Sequence, residues 1–107
     1  MTMTNQVVLE GRLSKSPEEK ILPSGDAVWT LRVVVPRPEG DRPGVDWVDC
    51  SVWSARLRRS VAKWGAGDVV VVEGVLRRRF FRVGGAPVSR LEVEATAGRL
   101  IRRSVPA

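Results

Sequence analysis

Histidine and tyrosine are absent from this chain of 107 residues, cysteine occurs once and lysine three times. Lack of histidine removes the commonest general base and metal ligand. The lone Cys50 rules out a disulfide framework and suits a reducing compartment, where it serves as a small apolar side chain on a core face. Gly65-Ala66-Gly67 is not a phosphate loop, because no Gly-Lys-Ser/Thr follows it. Asp46 and Asp49 differ by three positions and so leave opposite faces of a strand, which excludes a carboxylate dyad. An enzyme is therefore not expected, nor any cofactor or metal. No apolar run is long enough to cross a bilayer, and the opening Met1 to Gln6 has neither a charged nor an apolar signal region. A cytoplasmic protein without membrane contact is the expectation.

What the sequence does contain is arginine. The net charge is +6, and residues 1 to 76 balance ten basic side chains against ten acidic ones, so the whole excess lies from Arg77 onward. Such a balance favours an anionic partner, and arginine rather than lysine suits phosphate forks and ring stacking. A 43% hydrophobic content supports one folded domain, expected over 1–103 with a short end at 104–107.

Asn5 to Lys15 alternates imperfectly and predicts a first strand, with Gly11 at a bend or close approach. Ser16-Pro17-Glu18-Glu19 breaks it, and Leu22 to Asp26 is a turn by its Pro and Gly chemistry. A second strand follows over Ala27 to Val35, where Trp29, Leu31 and Val33 share the core parity. Pro36 to Gly44 holds three prolines and two glycines, which predicts a mobile hairpin loop. Val45 to Trp53 is the third strand. Ser54 then caps a short helix running to Trp64, whose Leu57, Val61 and Trp64 would cover one end of a barrel. A fourth strand spans Val69 to about Phe81, a turn covers Gly84 to Pro87, and a fifth strand contains Arg90 to Ala95. Three strands, a helix and two strands is the order of a five-stranded Greek-key OB barrel, an all-β fold with one short helix between strands three and four.

Two strands carry an unusual outer face. In the third, Val48, Cys50 and Val52 point inward, while Trp47, Asp49, Ser51 and Trp53 point outward. An indole ordinarily fills a core or a subunit interface, but these two stand among polar neighbours, where a flat ring has something to stack on. In the fourth, Arg77, Arg79 and Phe81 share one face with Glu73; Arg78 points elsewhere and Phe80 is expected to pack. Rings interleaved with guanidinium groups on a sheet suit single-stranded nucleic acid, whose bases stack and whose phosphates are neutralised. Arg12 and Arg32 lie on polar strand faces and are candidates for tracking phosphates, in competition with Glu10 or Glu94. Trp29 and Trp64 are read as packing, and Arg102 and Arg103 as a basic end without an assigned role.

The segments Asn5-Gln6-Val7-Val8-Leu9-Glu10-Gly11-Arg12-Leu13, Leu22-Pro23-Ser24-Gly25, Val45 to Trp53 and Val71-Val72-Glu73-Gly74-Val75-Leu76-Arg77 together resemble the bacterial single-stranded DNA-binding proteins. The resemblance spans essentially the whole barrel and rests on order and spacing, not on one motif. It implies an OB fold, sequence-tolerant binding of single-stranded DNA in replication, recombination and repair, a nucleoid setting, and assembly into homotetramers as dimers of dimers, or at least dimers. Position by position, Trp47 and Trp53 match the stacking aromatics of the family's third strand, and Phe81 that of its fourth. Two departures stand out. Pro36 to Gly44 is short and lacks an aromatic, which implies a smaller footprint. The family's Gly/Pro/Gln-rich tail with an acidic tip has no counterpart before Ala107, so docking of replication and repair enzymes through a tail is not expected, and a specialised or second copy of the family is. Competing readings are a dimeric primosomal replication accessory protein, a protein-interaction module using exposed rings, and cold-shock-type RNA binding.

Overall fold

The described residues form six strands and one helix, in the order β1 (Val7–Leu13), β2 (Glu18–Ile21), β3 (Ala27–Pro36), β4 (Val45–Val52), α1 (Ala55–Val61), β5 (Val69–Val83) and β6 (Ala86–Arg102). The computed structural model describes residues 2–105; Pro106 and Ala107 of the expected 104–107 end lie outside them. Strands run β1-β5-β6-β4-β3, and β1 pairs back onto β3 through Arg12–Val34 and Leu13–Val33, so the hydrogen-bonded ring closes. All pairings are antiparallel except β4 with β6, which meet over Cys50–Val93, Ser51–Glu94 and Val52–Ala95. This is the OB barrel. Closure removes sheet edges within the ring, leaving them only at β2 and along the outer parts of β5 and β6.

The expected break at Ser16 to Glu19 is half correct. The first strand ends at Leu13, short of the expected Lys15, but Glu18–Ile21 resumes pairing on the N-terminal half of β3, against Thr30 to Ala27. Local sequence favours a break there, and the free edge of β3 overrides it. The Leu22 to Asp26 turn forms, with Gly25 at a φ of 91° and its N–H donating to Leu22 O. Ser54 caps α1 by accepting from Leu57 N at 3.3 Å. The helix itself stops at Val61, three residues short of the expected Trp64. Lys63 and Trp64 instead donate to Ser60 and Val61, tightening the last turn.

Leu13, Leu31, Val33, Cys50, Val52, Val70, Val72, Val93 and Ala95 fill the barrel, and Leu57, Val61 and Trp64 close one end. Trp29 packs against this core, as its parity predicts. Trp64 fits because position 98 is glycine: a Cβ there would sit 3.0 Å from its ring. Burial, with Asp49 and Glu92 nearby, pushes the Cys50 thiol up to about 12, so it stays protonated and inert at neutral pH.

Past the ring, β5 and β6 continue as a two-stranded arm closed by Gly84 and Gly85, both at positive φ, as a two-residue hairpin turn demands. At the opposite end, buried Asp68 ties β6 down. Its carboxylate accepts from Ser104 N at 2.7 Å and Gly65 N at 2.8 Å and lies 3.6 Å from Arg103. The bond from Ser104 leads the effects that hold this carboxyl below its ordinary range. Its stabilisation is therefore complete above the unfolded value near 4 and is lost as pH falls through the lower folded value. Asp68→Asn leaves one backbone donor facing an amide, and should cost about 1–3 kcal/mol at neutral pH. Melting curves from pH 7 to pH 3 check this: the gap between wild type and variant should close below about pH 4.

Candidate nucleic-acid interface

Alternation along β4 turns two indoles out of the barrel. Trp47 is 56% exposed and Trp53 37%, while Cys50 and Val52 on the other parity are buried. Cross-strand register assembles the rest of the face. On β3, Val34 stands opposite Trp47 and Arg32 opposite Asp49. On β6, Glu94 stands opposite Ser51, and β5 adds Val75 opposite Glu94, Arg77 opposite Glu92, Arg79 opposite Arg90 and Phe81 opposite Val88. Arg12 on β1 pairs with Val34 and so lies at the margin of the same surface, exposed and without an ion pair among the described residues.

Each of the three candidate rings has a guanidinium beside it. Arg32 lies 4.0 Å from the centroid of Trp47, Arg79 5.4 Å from Trp53, and Arg90 5.4 Å from Phe81. Carboxylates hold two of these cations in turn. Arg32 donates to both oxygens of Asp49, at 2.9 and 3.4 Å, and this hydrogen bonding raises its pKa above the usual value. Arg79 donates from Nε to Glu92, which is only 6% exposed, and its Nη2 lies 3.5 Å from Glu94. Arg77 donates to Glu94 at 2.8 Å. Trp53 is fixed further by its indole N–H, which donates to Ser51 Oγ at 3.2 Å. A guanidinium clamped by a carboxylate on one side and pressed to an indole on the other restrains the ring before any ligand arrives, so less side-chain freedom is lost on binding.

This geometry refines several expectations. The competitor for Arg32 is Asp49, neither Glu10 nor Glu94. Arg77 and Arg79 share the face of Trp53, yet both are ion-paired. Phe80 does not pack: it is 79% exposed, because the arm carries it beyond the barrel and no second layer covers that side. Arg78 points away from the ring-bearing face and donates to Ser89 Oγ at 3.1 Å. Arg90 was not among the sequence candidates, although its alternation with Glu92 and Glu94 marks it as outward. Phe81 is 39% exposed and stands beside a depression on the arm of about 410 Å³ that Phe80, Pro87 and Val88 also line. Among the described residues, no three His, Cys, Asp or Glu side chains gather as a metal-binding set.

A closed five-stranded barrel with a helix between β4 and β5 and arginine-backed rings on one outer face defines a small OB-type binding module. Residues 4–101 match the model of the single-strand binding protein family. The single-stranded DNA-binding protein A of Bacillus subtilis is 33% identical over 97 residues, covering 87% of this chain and 56% of that protein. The single-stranded DNA-binding protein of Oceanobacillus iheyensis is 32% identical over 82 residues, covering 74% and 51%. A solved structure described as a Plasmodium falciparum SSB complex with ssDNA superimposes with a TM-score of 0.76 at 26% identity, covering 97% of this chain and 98% of that one. The chain belongs to the single-strand binding protein family. It spans about half the length of the curated relatives it matches.

Proposed function

We propose that this chain binds and protects single-stranded DNA without catalysing a reaction, laying bases on Trp47, Trp53 and Phe81 with little regard to sequence, in replication, recombination and repair. The observation that carries the reading is three outward rings on the face shared by the barrel and its arm, each against an arginine. Every base has a π-face, so stacking tolerates sequence, and each stacked base contributes about 1–3 kcal/mol. Arg12 and Arg90 are phosphate contacts free of carboxylates; Arg32, Arg77 and Arg79 reach the backbone only in exchange for an ion pair. Residues 1–103 form the binding unit. Membership of the family supports assembly as a homotetramer built from two dimers, in the cytoplasm with the nucleoid.

Titration of the protein with oligo-dT, followed by tryptophan fluorescence and light scattering, tests this. Saturable quenching by dT, with tetramer mass and weaker binding of rU, is the expected result; no quenching overturns it, and a dimer favours the primosomal alternative. The ion-paired arginines give a further prediction. Glu94→Gln releases Arg77 and loosens one hold on Arg79 while Glu92 keeps the other, so dT affinity should rise. The dependence of log K on log salt should steepen by about 0.7 for each phosphate gained. Weaker binding by this variant would mean that Glu94 positions the rings more than it restrains the cations.

A further inference from the structure

The charge that should drive DNA binding is not on the ring-bearing face. There, Arg32, Arg77, Arg79 and Arg90 face Asp49, Glu92 and Glu94, and three of the four arginines are held by those carboxylates. A cluster of uncompensated charge lies along the seam between α1 and β6. A groove of about 590 Å³ there is lined by Arg56, Arg59, Lys63, Arg99 and Arg103 over a floor that includes Trp64. No carboxylate lines it. Among the described residues, Arg56, Arg59, Lys63 and Arg99 make no ion pair, and only Arg103 is engaged, by Asp68 and by the Lys63 carbonyl. All five side chains are exposed. Arg56, Arg59 and Lys63 fall three and four positions apart on one side of α1 and its final turn, so the helix presents them as one row.

The groove also extends toward Trp53. A smaller depression of about 210 Å³ is lined by Ser54, Leu57, Thr96 and Ala97 and shares Arg56, Ser60 and Gly98 with the basic groove. Ser54 directly follows Trp53. Ala97 and Gly98 keep this connection open because they have little or no side chain.

We infer that the α1–β6 seam is a second, phosphate-tracking stretch of the binding path, taking the backbone of a strand that leaves Trp53 and supplying most of the salt-sensitive affinity. The inference rests on the reading that Trp47 and Trp53 stack bases. A polynucleotide is favoured over an acidic peptide by two features: the groove continues from a stacking ring, and four of its five cations are arginines, whose planar forks match phosphate.

Oligo-dT of about 6 nucleotides, a length that the ring-bearing face can hold, is compared with one of about 16, near the upper site size of a single OB fold. The triple variant Arg56→Gln/Arg59→Gln/Lys63→Gln alters only exposed side chains, and an unchanged melting temperature checks its fold. For the longer oligomer its salt slope should become shallower by about 2, the value for three lost phosphate contacts on a single strand, with affinity down at least about tenfold at low salt. For the shorter oligomer affinity should change less than about twofold. Arg56→Lys/Arg59→Lys, which keeps the charge, should retain the wild-type slope. Equal slopes for wild type and triple variant, or equal losses for both oligomers, overturn the proposal. So does a poly-glutamate peptide that binds wild type but not the variant while long dT binds both alike, since the groove then serves a protein partner. Failure of the stacking reading is separable: Trp47→Ala would then leave the short oligomer unaffected.

Discussion

Trp47→Ala should weaken oligo-dT binding by about 1–3 kcal/mol, roughly 5- to 150-fold in Kd, and abolish much of the fluorescence quenching. The side chain is more than half exposed and belongs to no core cluster, so its removal should leave the melting temperature within a few degrees. That separation of affinity from stability distinguishes a stacking ring from a structural one. Trp29→Ala is the matched contrast. Trp29 packs against the barrel core while partly exposed, and its loss should destabilise the protein by about 2 kcal/mol, below the range for a fully buried ring. Removing the guanidinium behind Trp47 is a finer probe. Arg32→Met keeps the stem but loses the charge and the Asp49 bonds, and dT affinity should fall with little change in salt slope, because this arginine positions a ring more than it meets a phosphate. A slope change as large as that of a phosphate contact would contradict that role.

Gly74→Ala is the largest stability effect expected. A Cβ at this position would lie 2.1 Å from the carbonyl oxygen of Glu94, and 2.9 and 3.0 Å from the neighbouring backbone atoms of Glu94 and Ala95. Those are main-chain atoms of a hydrogen-bonded strand, so no rotamer change relieves the contact. The register between β5 and β6 already shifts at Glu73 and Gly74, and this bulge lets the strands approach closely enough for β6 to reach β4 as well. Overpacking of this kind costs about 1–3 kcal/mol and sometimes more; the backbone contact places Gly74→Ala at or above the top of that range, a fall of at least about 12 °C in Tm for a domain of this size. Glu94 and Ala95 pair with Ser51 and Val52 of β4, so their displacement should disturb the seat of Trp53 and lower dT affinity among the molecules that remain folded. Gly85→Ala is a useful comparison. Its strain is purely local, from a φ of 82° with nothing within 4 Å, and the loss should be smaller and confined to the arm.

Period-two alternation made the core and the ring-bearing face legible, because inward and outward positions differ so sharply in chemistry. Cys50 and Val52 against Trp47 and Trp53, and Trp29 beside Leu31 and Val33, needed no three-dimensional information beyond the pleat. What the chain order hides is register. Arg79 meets Glu92 thirteen residues on, and Arg77 meets Glu94 seventeen residues on, so the ion pairs depend on the hairpin turn at Gly84 and Gly85 and on the bulge at Gly74. The same ignorance of register turned the eight late arginines into one basic region, whereas the fold sends Arg77, Arg79 and Arg90 to the rings and Arg99 and Arg103 to the helix seam. Glu18–Ile21 escapes a local reading for a related reason: three of its four residues have little strand preference of their own and pair because β3 offers them an edge. Phe80 departs from the expectation because a phenylalanine on a strand ordinarily packs, and nothing local reveals that the hairpin has left the barrel.

The four tryptophans provide the most direct test of the central claim, since two face solvent beside arginines and two are in or against the core. Indole N–H resonances of the 15N-labelled protein, followed during titration with oligo-dT, report each ring separately. Trp47 and Trp53 should shift strongly and saturate together, while Trp29 and Trp64 hardly move. Shifts confined to Trp29 and Trp64, or none at the outward pair despite saturable binding, would place the DNA elsewhere and contradict the account.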